Sequence, residues 1–213
     1  MWNTRKARSS KIWLLWQDAG PSFGAALFFW TVGIHLRVMS LTLILRAALP
    51  SDLAAVDMLL ARSYPRLLRK DYPPSVMVMA LPIIARARPE LLASGRYYLA
   101  FGADGALLGA GGWSRGAPGP SDQPEAQLGN GGVGHVRHVV TDPAAVRQGV
   151  GRAVMAAVFD AAKQAGVSRM ECLSTRTAVP FYASLGFQAM GAVDVPLRAG
   201  IVFPAVQMIC DFT

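Results

Sequence analysis

The chain has 213 residues, of which 53% are hydrophobic, so it is long enough for one packed domain and too apolar to be disordered throughout. Its formal net charge is +8, but the sequence has no long basic run and no nucleic-acid-binding motif, which argues against a nucleic-acid partner. The two cysteines, Cys172 and Cys210, have neither CxxC spacing nor metal-site spacing with a histidine. We therefore expect free thiols, a reducing compartment such as the cytoplasm, and no bound metal.

The first 38 residues differ in composition from the rest of the chain. They hold four of the five tryptophans and contribute +4 to the net charge. Their apolar stretch, Phe23 to Ile34, is too short to span a bilayer, which takes about 20 residues. Three alternatives stay open: a poorly ordered extension, an interfacial membrane anchor, or a start assigned too early, with Met39 as the true first residue. Any membrane contact is expected within residues 1–38, and the folded domain within residues 39–213.

Residues 39–213 predict one domain in which strands and helices alternate. Apolar periodicity and turn residues delimit these elements. In chain order we expect a strand over 41–46, helices over 53–68 and 76–87, a turn over 89–92, strands over 96–101, 106–113 and 133–141, a helix over 149–164, a strand over 169–173, a short helix over 179–185, and strands over 188–195 and 201–212. The Gly- and Pro-rich residues 116–132 predict a surface loop. This order indicates an α/β (α+β) fold with a mixed central sheet of six to seven strands and helices on both faces.

The segment Val139–Ala153 predicts an anion-binding site. It runs from a strand through a turn into a glycine-rich bend and a helix. Gly149 and Gly151 lack Cβ atoms, so the backbone can turn tightly and approach a ligand. The free amides and the dipole of a helix N-terminus attract anions, and Arg147 and Arg152 can add charge-assisted hydrogen bonds. Because neither G-K-[ST] nor a complete G-x-G-x-x-G is present, the phosphorylated ligand is not expected to be a P-loop nucleotide or a dinucleotide.

Two motifs resemble those of the GNAT (GCN5-related) N-acetyltransferase family. Gln148-x-x-Gly151-x-Ala153 matches the family's Q/R-x-x-G-x-G/A motif, and the run VVTDPAAV before it resembles the family's fourth strand and turn. Residues 178–187, AVPFYASLGF, resemble a second motif, a short helix that ends in Leu-Gly-Phe. The two motifs follow the family's order and usual separation. The resemblance implies a single GNAT-like domain over residues 39–213.

The resemblance implies acetyl-CoA as the co-substrate, bound where the fourth and fifth strands splay apart. The backbone of Val139, Val140 and Thr141 would pair with the pantetheine arm like an added strand. A backbone amide near Val139 would polarise the thioester carbonyl. The pyrophosphate would be held by a segment that we call the cradle, which consists of Arg147, Gln148, Gly149, Val150, Gly151, Arg152 and Ala153.

The resemblance also implies direct acetyl transfer to a primary amine, a reaction that needs an acid and a base. Tyr182 occupies the position from which relatives protonate the departing thiolate, and the alternative is a packing role beside Phe181 and Phe187. Alternation along the fourth strand places His135 on one face and His138 on the other. Glu171 lies one residue from the expected position on the fifth strand, which would reverse its face. The candidate bases are therefore His135, His138, Glu171 and Glu125, with a water chain as the alternative.

One loop departs from the family's pattern. Relatives often carry an Asn between the fifth strand and the short helix, where this chain has Ser174-Thr175-Arg176-Thr177. Either Thr175 or Arg176 replaces that contact with CoA, or the contact is absent.

The acceptor would lie over the first two helices and the last hairpin, by resemblance. Those helices carry aromatic, basic and Met side chains: Tyr64, Arg66, Arg69, Tyr72, Met77 and Met79. The amine of a small molecule, a peptide or a protein would fit this expectation. Transfer of another acyl group, a CoA-sensing module without turnover, and a homodimer stay open as alternatives.

Overall fold

The computed structural model describes residues 42–117, 132–198 and 200–212. The predictions for residues 1–38, for Glu125 and for most of the 116–132 loop lie outside these ranges and stay predictions. Within the described ranges, no helix combines the length and the apolar character that a membrane crossing requires.

The secondary structure follows the predicted order with small shifts at the element ends. The elements are β1 (Ile44–Ala47), α1 (Leu53–Leu68), α2 (Pro74–Ile84), α3 (Pro89–Ala93), β2 (Tyr97–Phe101), β3 (Leu107–Ser114), β4 (Val133–Thr141), α4 (Val150–Gln164), β5 (Arg169–Ser174), α5 (Val179–Ala183), β6 (Gln188–Arg198) and β7 (Ile201–Asp211). Helix α2 begins at Pro74, earlier than predicted, because a proline at the first helical position has no amide to leave unpaired. The predicted turn at Pro89 is a short helix, α3.

The seven strands of the described residues form one mixed sheet, which agrees with the predicted six to seven strands. Their order is β1-β2-β3-β4-β5-β7-β6. Every neighbouring pair is antiparallel except β4 and β5, which are parallel and are connected through α4. This parallel pair lies in the middle of the sheet, so both strands are flanked by other strands.

Helices cover both faces of the sheet. Tyr97 and Tyr98 are neighbours on β2, and their side chains therefore point to opposite faces. Tyr97 packs in a core with α1 and α3, whereas Tyr98 packs against a second core that includes residues of α4 and α5. The predicted layering is confirmed, and it leaves the N-terminus of α4 at the end of β4.

The second core gives a direct test of this layering. Met155→Ala on α4 should lower the free energy of unfolding by about 2–5 kcal/mol, because the side chain is fully buried and its loss leaves a cavity. Met190→Ala is the control, since Met190 is 59% exposed and its truncation should cost less than about 0.5 kcal/mol. Urea unfolding followed by circular dichroism measures both. Equal effects of the two substitutions would contradict the burial of Met155.

Candidate active site

Strands β4 and β5 separate partway along their length. Their parallel pairing covers three residue pairs, from Val133 with Arg169 to His135 with Glu171. Beyond these pairs β4 continues to Thr141 and β5 to Ser174. The residues of β4 after His135 therefore have no partner strand on the β5 side. We call this opening the β4–β5 gap.

The cradle follows β4 as a bend with two left-handed residues. Arg147 has φ 65° and Gly149 has φ 85°. The first bond that joins the bend to α4 runs from the amide of Ala153 to the carbonyl of Gly149, at 3.0 Å. The amides of Val150 to Arg152 therefore have no intrahelical acceptor. Such consecutive amides beside a left-handed residue form a concavity that suits an anion.

The outer side of the bend is accessible. A Cβ atom built on Gly149 would meet no described atom within 4 Å. The side chains of Arg147 and Arg152 are exposed. Arg152 reaches Ser184 Oγ at 3.3 Å, a bond that a competing anion can replace. The bend thus has open space at Gly149 and two exposed cations close to it in sequence.

Gly151 brings three segments together. A Cβ atom at this position would lie 3.2 Å from the Phe181 ring on α5 and 3.3 Å from Thr141 Oγ1 at the end of β4. The start of α4 therefore packs closely against both the end of β4 and α5. The family motif around Gly151 and the second motif, which carries Tyr182, are adjacent in space.

Asp142 fixes the turn between β4 and the cradle. Its carboxylate accepts hydrogen bonds from Arg62 Nε at 2.6 Å and from the amide of Ala144 at 2.8 Å. Its own amide donates to Leu108 O, and its carbonyl accepts from Ala145. Arg62 also donates to Leu107 O at 2.9 Å. Arg62 on α1 thus links the turn that precedes the cradle to the start of β3.

Tyr182 lies on α5 among aromatic rings. Its ring meets those of Phe181 and Phe187 edge-on, at centroid distances of 5.2 and 5.3 Å. Burial raises the pKa of Tyr182 well above its usual value, with smaller contributions from Cys172 and Tyr64. The phenol therefore stays protonated at neutral pH and can donate a proton. Its packing also agrees with the alternative structural role.

His135 and Glu171 meet where the gap begins. They are directly paired across β4 and β5, and His135 Nδ1 lies 3.8 Å from Glu171 Oε2. Burial lowers the pKa of His135 and Arg137 lowers it further, while Glu171 opposes them. The imidazole is thus neutral near pH 7 and able to accept a proton. Both residues line a cavity of about 180 Å³, together with Ala117, Cys172, Leu173 and Gln207.

Strand β4 contains a bulge at His138. Ala110 pairs with Val140 but Gly112 pairs with Arg137, so β4 has one residue more than β3 over this stretch. His138 is the bulged residue, with a left-handed φ of 47°. Before the bulge the strand alternates regularly: the Arg137 side chain reaches Ser114 Oγ, opposite His135, at 2.8 Å, so Arg137 and His135 share a face. The predicted alternation does not continue through His138.

Two residues proposed for the acceptor side are buried instead. Tyr72 is 4% exposed, stacks on Phe203 at 4.7 Å, donates to Pro204 O and accepts from the amide of Arg176. Met77 belongs to the same core, whereas Met79 is 51% exposed. The loop that lacks the family's Asn is therefore anchored by Tyr72. One of these two Met side chains thus fills a core and the other is exposed, a difference that the residue type alone does not predict.

Both cysteines are free, as predicted. Burial, with a smaller contribution from Cys210, raises the pKa of Cys172 to about 12, so this thiol is unreactive at neutral pH. Within residues 42–117, 132–198 and 200–212, no three His, Cys, Asp or Glu side chains are grouped to bind a metal.

The Asp142 contacts predict a pH-dependent stabilisation. Partial burial raises the pKa of Asp142, but the Ala144 amide and Arg62 outweigh it and hold the pKa below its usual value. The carboxylate's stabilisation is therefore complete above the ordinary value of about 3.9 and is lost as pH falls through the lower folded value. Asp142→Asn should lower the free energy of unfolding by about 1 kcal/mol at pH 7.

Urea unfolding of the wild type and Asp142→Asn between pH 7 and pH 3 measures this effect. The difference between them should shrink in acid. Asp160→Asn on the exposed face of α4 is the matched control, and its effect should stay within about 0.5 kcal/mol. A difference for Asp142→Asn that is constant over this range would contradict the role of the carboxylate.

Comparison with known proteins agrees with this geometry. A GCN5-related N-acetyltransferase from Rhodopseudomonas palustris shares 20% identity with a TM-score of 0.60, over 80% of this chain and 96% of that one. The PaiA N-acetyltransferase from Thermoplasma acidophilum, solved with coenzyme A, shares 14% identity with a TM-score of 0.58, over 80% of this chain and 99% of that one. At these identities, both comparisons show that this chain shares the fold of those two proteins.

A third solved structure extends the comparison. N-acetylglutamate synthase from Neisseria gonorrhoeae, solved with coenzyme A and N-acetylglutamate, is 17% identical with a TM-score of 0.53, over 81% of this chain but 35% of that one. No curated protein sequence matches this chain. The family description "Acetyltransferase (GNAT) domain" matches residues 83–210, more than half of the chain. The two motifs, the gap and this match together show that the chain belongs to the GNAT acetyltransferase family.

Proposed function

We propose that this chain is an N-acetyltransferase that transfers the acetyl group of acetyl-CoA directly to a primary amine of a small molecule, a peptide or a protein. The observation that carries the proposal is the accessible cradle at the end of the β4–β5 gap. It offers amides without an intrahelical acceptor and two exposed arginines to an anion, beside a strand that has no partner on the β5 side after His135. The free thiols and the use of acetyl-CoA favour the cytoplasm.

The residues present fit coenzyme A at its two ends. Consecutive amides at a helix N-terminus, flanked by cations, suit a diphosphate. The cradle from Arg147 to Ala153 would hold that group. A strand without a neighbour suits the amides and carbonyls of an extended pantetheine arm. Val139, Val140 and Thr141 would bind it, and an amide near Val139 would bind the thioester oxygen as negative charge develops there.

The chemistry needs a base on one side of the thioester and an acid on the other. The amine must lose a proton before its nitrogen can attack the acetyl carbon, and the C–S bond breaks as the new C–N bond forms. His135 is the best-supported base, since it is neutral and lies beside Glu171 at the start of the gap. His138, Glu171 and a water chain are the alternatives. Tyr182 would protonate the departing sulfur.

An acceptor screen tests the function directly. Acetyl-CoA is incubated with the full chain and a panel of small amines, amino acids and peptides, and free thiol is measured. We expect release well above the amine-free rate for at least one acceptor class. Binding of CoA without release, in a folded sample, would favour the CoA-sensing alternative. Absence of CoA binding would refute the cradle assignment.

Gly151→Glu tests the cradle. A carboxylate at the first turn of α4 should repel a diphosphate and weaken CoA binding. Gly151→Gln is the matched control, because its side chain has the same shape without the charge and meets the same Phe181 and Thr141 contacts. Calorimetry should show affinity for CoA at least roughly tenfold lower in the Glu variant than in the Gln variant, which corresponds to about 1.4 kcal/mol. Equal affinities would contradict diphosphate binding at Gly151.

Tyr182→Phe tests the acid. Removing the hydroxyl should lower kcat by roughly 100-fold or more, the usual contribution of a general acid, and leave CoA affinity unchanged. Tyr98→Phe is the control, because Tyr98 packs against the same core from β2. Thiol release under saturating acetyl-CoA measures turnover. Similar activities of the two variants would assign Tyr182 to packing alone.

A further inference from the structure

The bulge in β4 holds a strained residue. Left-handed φ is uncommon for residues other than glycine, and such backbone persists where contacts with the surrounding structure offset its strain. His138 has φ 47° and lies directly before Val139, at the side of the gap. Contacts between the bulge and neighbouring strands can stabilise this conformation.

One buried hydroxyl contacts the bulge. Tyr97 lies on β2, two strands away, and its hydroxyl donates to the carbonyl oxygen of His138 at 3.0 Å. Tyr97 is 1% exposed, so water has little access to its hydroxyl, and His138 is half-buried. Burial, with a smaller effect of Tyr64, raises the pKa of Tyr97 well above its usual value, so the hydroxyl remains a donor.

The strand between them leaves room for this contact. Gly112 on β3 is paired with Tyr97 on one side and with Arg137 on the other. A Cβ atom at Gly112 would lie 2.7 Å from Tyr97 Cδ2 and 2.8 Å from Tyr97 Cα. The nearest clash would be with the Arg96 carbonyl oxygen, so the absence of a side chain at Gly112 permits both the close approach of the β2 backbone and the passage of the Tyr97 ring towards β4. Tyr97 on β2, Gly112 on β3 and the bulge at His138 on β4 therefore form one structural unit.

The bulge changes which residues of β4 face each core. Val136 and Val139 both pack with the core under α4, although they are three residues apart, and Val140 packs with the core under α1. An unbroken strand would put Val136 and Val139 on opposite faces. The extra residue therefore sets the register of Val139 to Thr141 against β3, and with it the groups that these residues present to the gap.

We propose that Tyr97 is a positioning residue, whose hydroxyl reaches across Gly112 and holds the bulge at His138 so that Val139 to Thr141 are set for the pantetheine arm. This inference rests on the proposed function, because it assigns pantetheine to those residues. Tyr97 itself does not touch the reacting atoms. Its effect is on the part of the site that binds pantetheine and not on the cradle.

Calorimetric titration with CoA and with pantetheine, which lacks the diphosphate, tests this role. Tyr97→Phe should weaken both ligands by the same factor, roughly three- to tenfold, the usual worth of one buried hydrogen bond. Tyr98→Phe, on the same strand and the opposite face, is the control and should leave both unchanged. A general loosening of the cradle would instead weaken CoA more than pantetheine.

His138→Gly provides the rescue. Glycine adopts left-handed φ without strain, so the bulge no longer needs Tyr97. In the Tyr97→Phe background, His138→Gly should restore most of the lost affinity. The inference would be overturned if the affinity losses of the two substitutions were additive in the double variant. It would also be overturned if Tyr97→Phe bound CoA and pantetheine as tightly as Tyr98→Phe does. Wild-type protein that does not bind CoA would instead overturn the proposed function.

If the Tyr97→Phe variant does not fold, the single variant His138→Val, which keeps Tyr97, is tested in its place. A β-branched residue resists left-handed φ, so this variant should weaken CoA and pantetheine by the same factor. Unchanged binding of both ligands by folded His138→Val protein would overturn the inference.

Discussion

The early end of the parallel pairing between β4 and β5 is the constraint on which the site depends. After three residue pairs the two strands diverge. Each strand keeps its other neighbour, since β4 stays paired with β3 and β5 with β7. The sheet therefore lacks hydrogen bonds only between the diverging parts of β4 and β5. The cores on both faces of the sheet remain packed. The unpaired edge lies inside the sheet and not at its rim, where it would invite pairing with another chain.

Contacts from distant parts of the chain hold that opening in shape. Arg62 on α1 reaches Asp142 across 80 residues of sequence. Tyr97 reaches His138 across 41 residues, and Tyr72 reaches Arg176 across 104. Each contact has one partner in the region from α1 to β2. The other partner lies in a segment that borders the gap. The helices before β2 thus contribute to the geometry of a site whose motifs lie after β4.

The sequence predicts what is encoded locally. The cradle is visible because glycines, arginines and a helix start lie within seven consecutive residues, and the seven strands are visible because their apolar runs end at turn residues. The bulge at His138 is not visible, because no glycine marks it and its enforcing partner is on another strand. The role of Asp142 is not visible either, because its partner Arg62 is 80 residues away in sequence. The sequence alone predicts only that Asp142 ends a strand before a proline. The pairing of His135 with Glu171 depends on register, and one residue of error in aligning β5 reverses the predicted face.

Burial acts in opposite directions on the two groups that the proposed chemistry requires. It lowers the pKa of His135, which keeps a base free of its proton, and it raises the pKa of Tyr182, which keeps an acid protonated. Environments that push two titratable groups apart are a usual way to run acid and base chemistry at one pH. Neither group needs a strong charge partner for this, and the nearest carboxylate, Glu171, opposes the shift of His135 without reversing it. At pH 7 the ordinary pKa values already favour a protonated tyrosine and a neutral histidine, and burial shifts each pKa further in the same sense.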